Sequence, residues 1–338
     1  MMLPEITEDL YLKHKRLIAP LLGYPGIQYS KYSKTQVQLQ HKAHYETIMA
    51  LTDNFQPDIV FPLMDLSREV HAFGRKTVFH HLPLKDEISG KYSPRMISLM
   101  EKRELLESER ITEYLLTLEL LKKSISSSQI LCAYISGPIS LAGMIMGMDN
   151  MALSLLLDPD AVHELLAMCN HKLNALLPHL KSAGAQAVCF LEPTASLLSP
   201  AHAKEFSLDY LSQLIAATTE LGLDSIIHSC GNTTSIIDLM ANTGAAALSL
   251  DSPATGVNLS DISRKFSSLP VLMGNINPSG SILTGSPQEV ESEVHNLLDS
   301  LKDVPKFILS TGCDLPQATP LANIKAFFEA AKNYKYHD

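Results

Sequence analysis

Residues 187–230 read AVCFLEPTASLLSPAHAKEFSLDYLSQLIAATTELGLDSIIHSC, and the order of patterns in this stretch decides the fold. A short apolar run comes first, a long amphipathic segment follows it, and a second apolar run ends the stretch. Ser199 and Pro200 are typical of a helix start, and Gly222 is typical of a helix end. The stretch therefore predicts a strand, a helix and a second strand parallel to the first.

The same alternation continues along the 338 residues of the chain. Apolar runs with the length of buried strands occur at residues 58–63, 76–79, 130–135, 187–191, 225–228, 246–250, 270–273 and 306–309. Further helices are expected to start at Asp158-Pro159 and at Thr319-Pro320. Eight strands with helices between them predict an α/β fold, a closed (β/α)8 TIM barrel, whose chemistry lies at the C-terminal ends of the strands.

Length and composition bound the domain count and the cellular setting. We expect residues 1–338 to form a single barrel domain, in which residues 1–50 are a helical N-terminal extension. Residues 85–123 are expected to be a helix-rich insertion or a long connection. No apolar run approaches the roughly 18 residues needed to cross a bilayer, and five cysteines without regular spacing fit a reducing compartment. A net charge of −9 argues against nucleic acid or an anionic membrane as a partner. These features predict a cytoplasmic protein.

His228, Cys230 and Cys313 carry the ligand types that zinc prefers. His228 and Cys230 stand two positions apart at the end of a predicted strand, so their side chains face the same way. Cys313 follows the predicted last strand, and all strands of a barrel end at one mouth. The pattern predicts a zinc site with room for a substrate atom. The other cysteines lie in apolar segments and are expected to be core residues: Cys132, Cys169 and Cys189.

Three carboxylates at predicted strand ends are candidate catalytic residues: Asp65, Glu192 and Asp251. Glu192, in the segment LEPTAS, is the best candidate for a zinc-facing carboxylate that departs when a thiol arrives. Alternatively, it caps a turn or pairs with a base. Asp65 and Asp251 either orient a substrate or accept hydrogen bonds from loop amides.

Candidate substrate-binding residues lie at the same predicted mouth: Gly137, His81 and Asn275. His81 and its neighbour His80 are a source of a fourth ligand, an anion contact, or ordinary surface or loop histidines. Asn275, in MGNINP, either bonds a polar substrate group or forms an Asx-turn. The chain contains no GxxxxGK[ST], GxGxxG or GxSxG motif. It also lacks the DxHxxG pattern that supplies a histidine to a corrinoid, so any corrinoid must arrive on another protein.

Several segments resemble the uroporphyrinogen decarboxylase superfamily, and within it the zinc-dependent corrinoid methyltransferases such as the methylcobalamin:coenzyme M methyltransferases. They are SGPISLAG (136–143), EPTASLLSP (192–200), HSCGNTTSIIDLMANTGAAALSLD (228–251), MGNINPSGSILTGSPQEV (273–290) and STGCDLPQATPLANIKAFFEAAK (310–332). The family's zinc pattern, His-x-Cys with a distant Cys, falls on His228, Cys230 and Cys313. The resemblance implies an enzyme on a (β/α)8 barrel. It implies that zinc activates a thiol such as coenzyme M or homocysteine, which takes a methyl group from a methylcobalamin-like corrinoid on a carrier protein.

The zinc ligand set suits that chemistry because a neutral thiol is a poor nucleophile. Two cysteinates cancel the charge of the ion, so a third sulfur bound to it stays reactive. The corrinoid methyltransferases that the chain resembles often have Asp at the position of Glu192 and an acidic pair near Asp251.

Three alternative functions stay open. The first is the other half-reaction, in which a methylated donor methylates a corrinoid protein. Decarboxylation of a tetrapyrrole is the second, although residues 16–33 (RLIAPLLGYPGIQYSKYS) lack the arginine-rich motif that binds the substrate carboxylates of the decarboxylases. The third is a zinc-free binding protein in which the His/Cys set is fortuitous.

Overall fold

The computed structural model describes residues 2–76, 87–90, 92–93, 95–266 and 269–335. Within these ranges, eight strands form one sheet in the order β1-β8-β7-β6-β5-β4-β3-β2, and every neighbouring pair is parallel. The strands are β1 (Leu17–Ile18), β2 (Ile59–Val60), β3 (Ile130–Ser136), β4 (Ala187–Leu191), β5 (Asp224–Ser229), β6 (Ala247–Leu250), β7 (Val271–Ile276) and β8 (Phe307–Thr311). This cyclic order of parallel strands confirms the barrel.

Asp58 bridges the two ends of the sheet. Its backbone N–H donates to the carbonyl oxygen of Ile18 at 2.9 Å, and its Oδ2 accepts from the N–H of Ile18 at 2.6 Å. A side chain thus completes the ring of hydrogen bonds between β1 and β2.

Helices surround the barrel and connect its strands. They are α1 (Leu3–Leu12), α2 (Lys34–Leu39), α3 (His41–Phe55), α4 (Ser67–Ala72), α5 (Arg95–Glu101), α6 (Glu109–Ser124), α7 (Pro138–Met146), α8 (Met148–Leu157), α9 (Pro159–Ser182), α10 (Pro200–Ala203), α11 (Asp209–Glu220), α12 (Ile237–Ala241), α13 (Leu259–Lys265), α14 (Ser281–Thr284), α15 (Pro287–Ser300) and α16 (Leu321–Asn333). A π-helical turn, Lys204–Leu208, joins α10 to α11, so the helix predicted from Ser199-Pro200 runs on to Glu220.

The N-terminal region differs from the prediction. Residues 1–50 include helices, but they also supply β1, which pairs with β8. The strand Leu17–Ile18 was not predicted, because a two-residue strand is too short to show a period. The predicted strand at 76–79 falls outside the described residues except for Lys76, which lies in no strand. The single-domain assignment stays a prediction.

The core has two parts, one inside the barrel and one between the sheet and the helices. Inside the barrel, the rings of Phe61 and Tyr134 stack with centroids 5.2 Å apart. Cys132 and Cys189 lie in this inner core, and Cys169 lies in the outer one, all fully buried as predicted. Three of the five cysteines are therefore core residues, which leaves Cys230 and Cys313.

Membrane-spanning length was assessed over the described part of the chain. No single helix there is both long and apolar enough to cross a bilayer, whereas α7 and α8, bent by 107° relative to each other, together meet the length and composition criteria.

Candidate metal centre

His228, Cys230 and Cys313 meet at the C-terminal end of the barrel. His228 lies in β5, Cys230 directly follows that strand, and Cys313 follows β8 by two residues. His228 Nε2 lies 3.2 Å from Cys230 Sγ and 3.6 Å from Cys313 Sγ, and the two sulfurs are 3.0 Å apart. Over the described ranges, this is the only group of three or more histidine, cysteine or carboxylate side chains close enough to share a metal ion.

The size of this triangle suits one zinc ion. Bond lengths of about 2.3 Å to sulfur and about 2.0–2.1 Å to nitrogen place tetrahedral ligand atoms roughly 3.6–3.8 Å apart. The observed separations of 3.0–3.6 Å are smaller, most of all between the two sulfurs, so outward movement of the side chains would accommodate the ion. A site with one nitrogen and two sulfur ligands also favours zinc over hard cations such as magnesium or calcium.

The pKa values of the two thiols are shifted in opposite directions. The hydrogen bond from Cys230 lowers the pKa of Cys313, and the nearby His228 lowers it further, although burial opposes the shift. The pKa of Cys230 is raised, first by its hydrogen bond to Cys313 and then by burial, because ionising both would place two thiolates 3.0 Å apart. The pair therefore favours one ionised sulfur over two, and a divalent cation would favour ionisation of the second.

Ser249 contacts the triad, although the sequence argument did not single it out. Its Oγ lies 3.0 Å from His228 Nδ1, and both residues are almost completely buried. The two are register partners on β5 and β6, so their side chains point to the same side of the sheet. The one available signal was a serine in the otherwise apolar run AALSL.

Glu192 is fully buried and lies outside the triad. Its Oε1 accepts hydrogen bonds from the N–H of Ile139 and from Ser207 Oγ, each at 3.1 Å. Its Oε2 packs against Gly137, where any side-chain carbon would collide with it. Burial raises the pKa of Glu192 to about 8, so the carboxyl is mostly neutral at pH 7. Gly137 therefore makes room for Glu192.

The carboxylate of Asp65 is bound by protein groups. Its Oδ2 accepts from Arg110 Nη2 at 2.5 Å, and its Oδ1 accepts from the N–H and the hydroxyl of Ser67. All three residues are buried. This geometry favours a structural role for Asp65.

Asp251 and Asn275 hold backbone groups beside the triad. Asp251 Oδ2 accepts from the N–H of Gly231 at 2.7 Å, and its Oδ1 accepts from the N–H of Ser252 at 2.6 Å. Asn275 Nδ2 donates to the carbonyl oxygens of Asp251 and Val257. His81 and His80, which were also candidates, lie outside the described residues.

Comparisons with known proteins place this geometry in context. The chain matches the family model for uroporphyrinogen decarboxylase (URO-D) over residues 27–334. It is 30% identical over 238 residues to the methylcobamide:CoM methyltransferase MtbA of Methanosarcina mazei, an alignment that covers 68% of the chain and 66% of that relative. The methyltransferase of the same name from Methanosarcina acetivorans is 31% identical, with 59% and 57% covered. The chain thus spans less than two thirds of the length of these two relatives.

Decarboxylases also match the chain. A uroporphyrinogen decarboxylase from Prochlorococcus marinus is 25% identical over 299 residues, which cover 86% of the chain and 84% of that enzyme. Among solved structures, a methyltransferase from Methanosarcina mazei superposes with a TM-score of 0.83 over 98% of both chains at 18% identity. At that identity the superposition establishes a shared barrel fold.

Proposed function

The chain belongs to the uroporphyrinogen decarboxylase (URO-D) family, and we propose that it is a zinc-dependent methyltransferase within it. In this proposal, a methyl group moves from a methylated corrinoid, carried by a partner protein, to a small thiol such as coenzyme M or homocysteine. The observation that carries the proposal is the His228, Cys230 and Cys313 triangle at the barrel mouth. The two relatives named as methylcobamide:CoM methyltransferases support it.

The chemistry of the ligand set explains why a thiol is the proposed acceptor. His228, Cys230 and Cys313 would hold the ion, and three protein ligands leave one tetrahedral position for the acceptor sulfur. Bound zinc would favour the deprotonated acceptor thiol, and the charge of two cysteinates would keep that sulfur nucleophilic. Glu192, Asp65 and Asp251 would support the mouth through the hydrogen bonds they already make.

Methyl transfer is favoured over tetrapyrrole decarboxylation by the state of the buried arginines. Binding several substrate carboxylates needs cations that are available to the ligand. Arg110 is bound to Asp65, and Arg68 is bound to Glu69 and to the carbonyl oxygen of Tyr134. The thiol pair, by contrast, has no use in a decarboxylation without a metal.

A protein-borne methyl donor fits the exposed apolar surface of the segments that follow β3 and β4. The segments that follow β3 and β4 expose several large apolar side chains. On most protein surfaces, exposed apolar side chains occur singly. The side chains in these segments are Met148, Leu153, Leu156, Leu157 and Leu197, between 42% and 79% exposed. A carrier protein that delivers its corrinoid to the triad would cover these side chains.

Metal analysis combined with a methyl-transfer assay tests the proposal. The protein should be purified with a reductant, since two thiols 3.0 Å apart are close enough to oxidise to a disulfide. We expect about one zinc ion per chain, because a site with these three ligands binds a single ion. Methylcobalamin should lose its methyl group to coenzyme M or homocysteine.

Substitutions at the triad provide the decisive comparison. Cys230→Ala and Cys313→Ala should lose both the zinc and the methyl transfer, whereas Cys189→Ala, a buried cysteine of the inner core, should keep them. Retention of zinc and full activity in either triad variant would overturn the proposal. Methylation of cobalt(I) by methyl donors, without transfer to thiols, would assign the protein to the opposite half-reaction.

A further inference from the structure

The C-terminal end of β6 contacts the chain beside each member of the triad but supplies no ligand. We propose that Ser249, Asp251 and Ser252 together form a positioning template that fixes the three ligands relative to one another. The inference rests on the proposed zinc site and adds residues whose role is to orient it. Three separate contacts support it.

The first contact orients the imidazole. His228 Nδ1 lies 3.0 Å from Ser249 Oγ, and the serine is fully buried. When Nδ1–H donates to this oxygen, Nε2 carries the lone pair that faces the two sulfurs. Ser249 thus fixes the ring orientation and can accept from Nδ1–H in the tautomer that metal binding needs.

The second contact fixes the turn that carries Cys230. The N–H of Gly231, the next residue, donates to Asp251 Oδ2 at 2.7 Å. The other oxygen of Asp251 accepts from the N–H of Ser252, so both carboxylate oxygens are engaged. A carboxylate held at two points is a rigid anchor for a strand-end turn.

The third contact sets the path of the chain into Cys313. Gly312 passes so close to β6 that an added Cβ would lie 2.5 Å from the backbone nitrogen of Ser252. Any larger residue at 312 would push the two segments apart, and Cys313 would move with them. Backbone packing therefore brings the third ligand against the same strand end that holds the other two.

The template is itself anchored. Asn275, on β7, donates from Nδ2 to the carbonyl oxygen of Asp251 at 2.8 Å. Ser249, Ser252 and Asn275 are each at most 2% exposed, and Asp251 is 8% exposed. A strand end this buried, with its carboxylate and its backbone held by hydrogen bonds, has little freedom to follow a displaced ligand.

Zinc affinity measured by competition with a chromophoric chelator tests the first contact. Ser249→Ala should bind zinc about 10- to 100-fold more weakly, the usual cost of removing a partner of a ligating histidine. Ser310→Ala is the matched control, because Ser310 is a fully buried barrel serine whose Oγ lacks a partner among the described residues. It should keep the wild-type affinity. Ser249→Thr, which retains the hydroxyl, should restore most of the loss.

Replacing zinc with cobalt(II) gives an absorption spectrum that reports on the metal site. A general loss of protein stability would not change this spectrum. The d–d bands report the coordination geometry, and we expect them to change in Ser249→Ala but not in Ser310→Ala. Asp251→Asn should change the sulfur-to-cobalt charge-transfer band, because the turn carrying Cys230 loosens. Thermal unfolding of each variant verifies that the barrel is intact.

The outcomes separate this inference from the proposed function. Wild-type zinc affinity and wild-type cobalt spectra in both Ser249→Ala and Asp251→Asn would overturn the template while leaving the zinc enzyme in place. A wild-type protein that binds no zinc at all would overturn the proposed function and the template with it. Weaker binding in Ser249→Ala, restored by Ser249→Thr, supports the template.

Discussion

The two halves of the barrel mouth carry polar strand-end residues that look alike in the sequence but have opposite surroundings. In the sulfur half, which consists of His228, Cys230, Ser249 and Cys313, the ligand atoms face one another. In the charge half, which consists of Asp65, Arg68, Glu69 and Arg110, each charge has a protein counter-charge. The difference teaches that a polar residue at a strand end indicates a ligand only where no protein counter-charge already neutralises it.

The charge half ties helices to the barrel wall. Arg68 Nη2 donates to Glu69 Oε1 at 2.8 Å and to the carbonyl oxygen of Tyr134 at 2.7 Å, and its guanidinium lies over the ring of Tyr114. Glu69 Oε2 accepts from Ser136 Oγ at 3.1 Å. These contacts join α4 to β3 and α6, so this half of the mouth should affect stability more than chemistry.

Removing one charge from the charge half should cause the largest change, a loss of unfolding free energy. Arg68→Met would leave Glu69 buried without its cation, and such a loss costs about 3–5 kcal/mol of unfolding free energy. Urea denaturation measures the change. The double variant Arg68→Met/Glu69→Gln should recover much of it, since no unpaired charge remains. Equal stability of the single variant and the wild type would contradict the structural role.

A cysteine variant should give the reverse result. Cys313→Ser should lower methyl transfer on the order of 100- to 1,000-fold, equivalent to about 2.7–4 kcal/mol. Its unfolding free energy without metal should stay within about 1 kcal/mol of the wild type. Transfer rates and urea curves are measured on the same preparation, with Cys132→Ala as the control from the inner core. A large loss of stability without loss of transfer would erase the contrast between the halves.

Acid should weaken the charge half through His44. Its Nε2 accepts from the N–H of Leu63 at 2.9 Å, and burial, assisted by Arg68, lowers its pKa to about 3. The folded protein therefore holds His44 neutral while the unfolded chain takes up a proton below about pH 6.5. Stability from this group is complete above pH 6.5 and is lost as the pH falls toward 3, by about 2 kcal/mol at pH 5.

The pH dependence can be isolated with an amide in place of the imidazole. His44→Gln can still accept from Leu63 but cannot titrate, so its stability between pH 7 and pH 5 should fall less than that of the wild type. His171→Gln, at an exposed position, should follow the wild-type curve. Identical slopes for His44→Gln and the wild type would rule out this account.

Glu192→Gln should have the smallest effect. Because the pKa of Glu192 is raised to about 8, its carboxyl is mostly neutral at pH 7 and glutamine mimics that form. Zinc affinity and the transfer rate should each change by about 1 kcal/mol or less, the net worth of one hydrogen bond. A loss as large as that of Cys313→Ser would instead make Glu192 a fourth ligand and place it in the sulfur half.

The barrel and the triad were predictable because both follow from repeating or convergent features. Strand and helix patterns recur along the chain, and the ends of parallel strands meet at one mouth, so Cys230 and Cys313 had to approach each other. The strand Leu17–Ile18 was missed because two residues carry no measurable period.

The surroundings of the candidate residues were not predictable from one sequence. Arg110, the partner of Asp65, lies on α6, 45 positions away, and no local pattern links the two. Ser249 became visible only through the register between β5 and β6, which a single sequence does not specify. The sequence identifies polar residues at strand ends, but only the tertiary contacts separate ligands from supports.

The distance in sequence between Cys230 and Cys313 also bears on the order of assembly. Cys313 reaches its position only when β8 pairs with β7, which requires the long segment between Cys230 and Cys313 to fold first. A partly folded chain that ends at β7 presents two ligands instead of three and would hold an ion loosely. An ion that binds the completed ring in preference to its precursors shifts the folding equilibrium toward completion. If the proposed zinc site is correct, metal supplied during synthesis should therefore raise the yield of finished barrels.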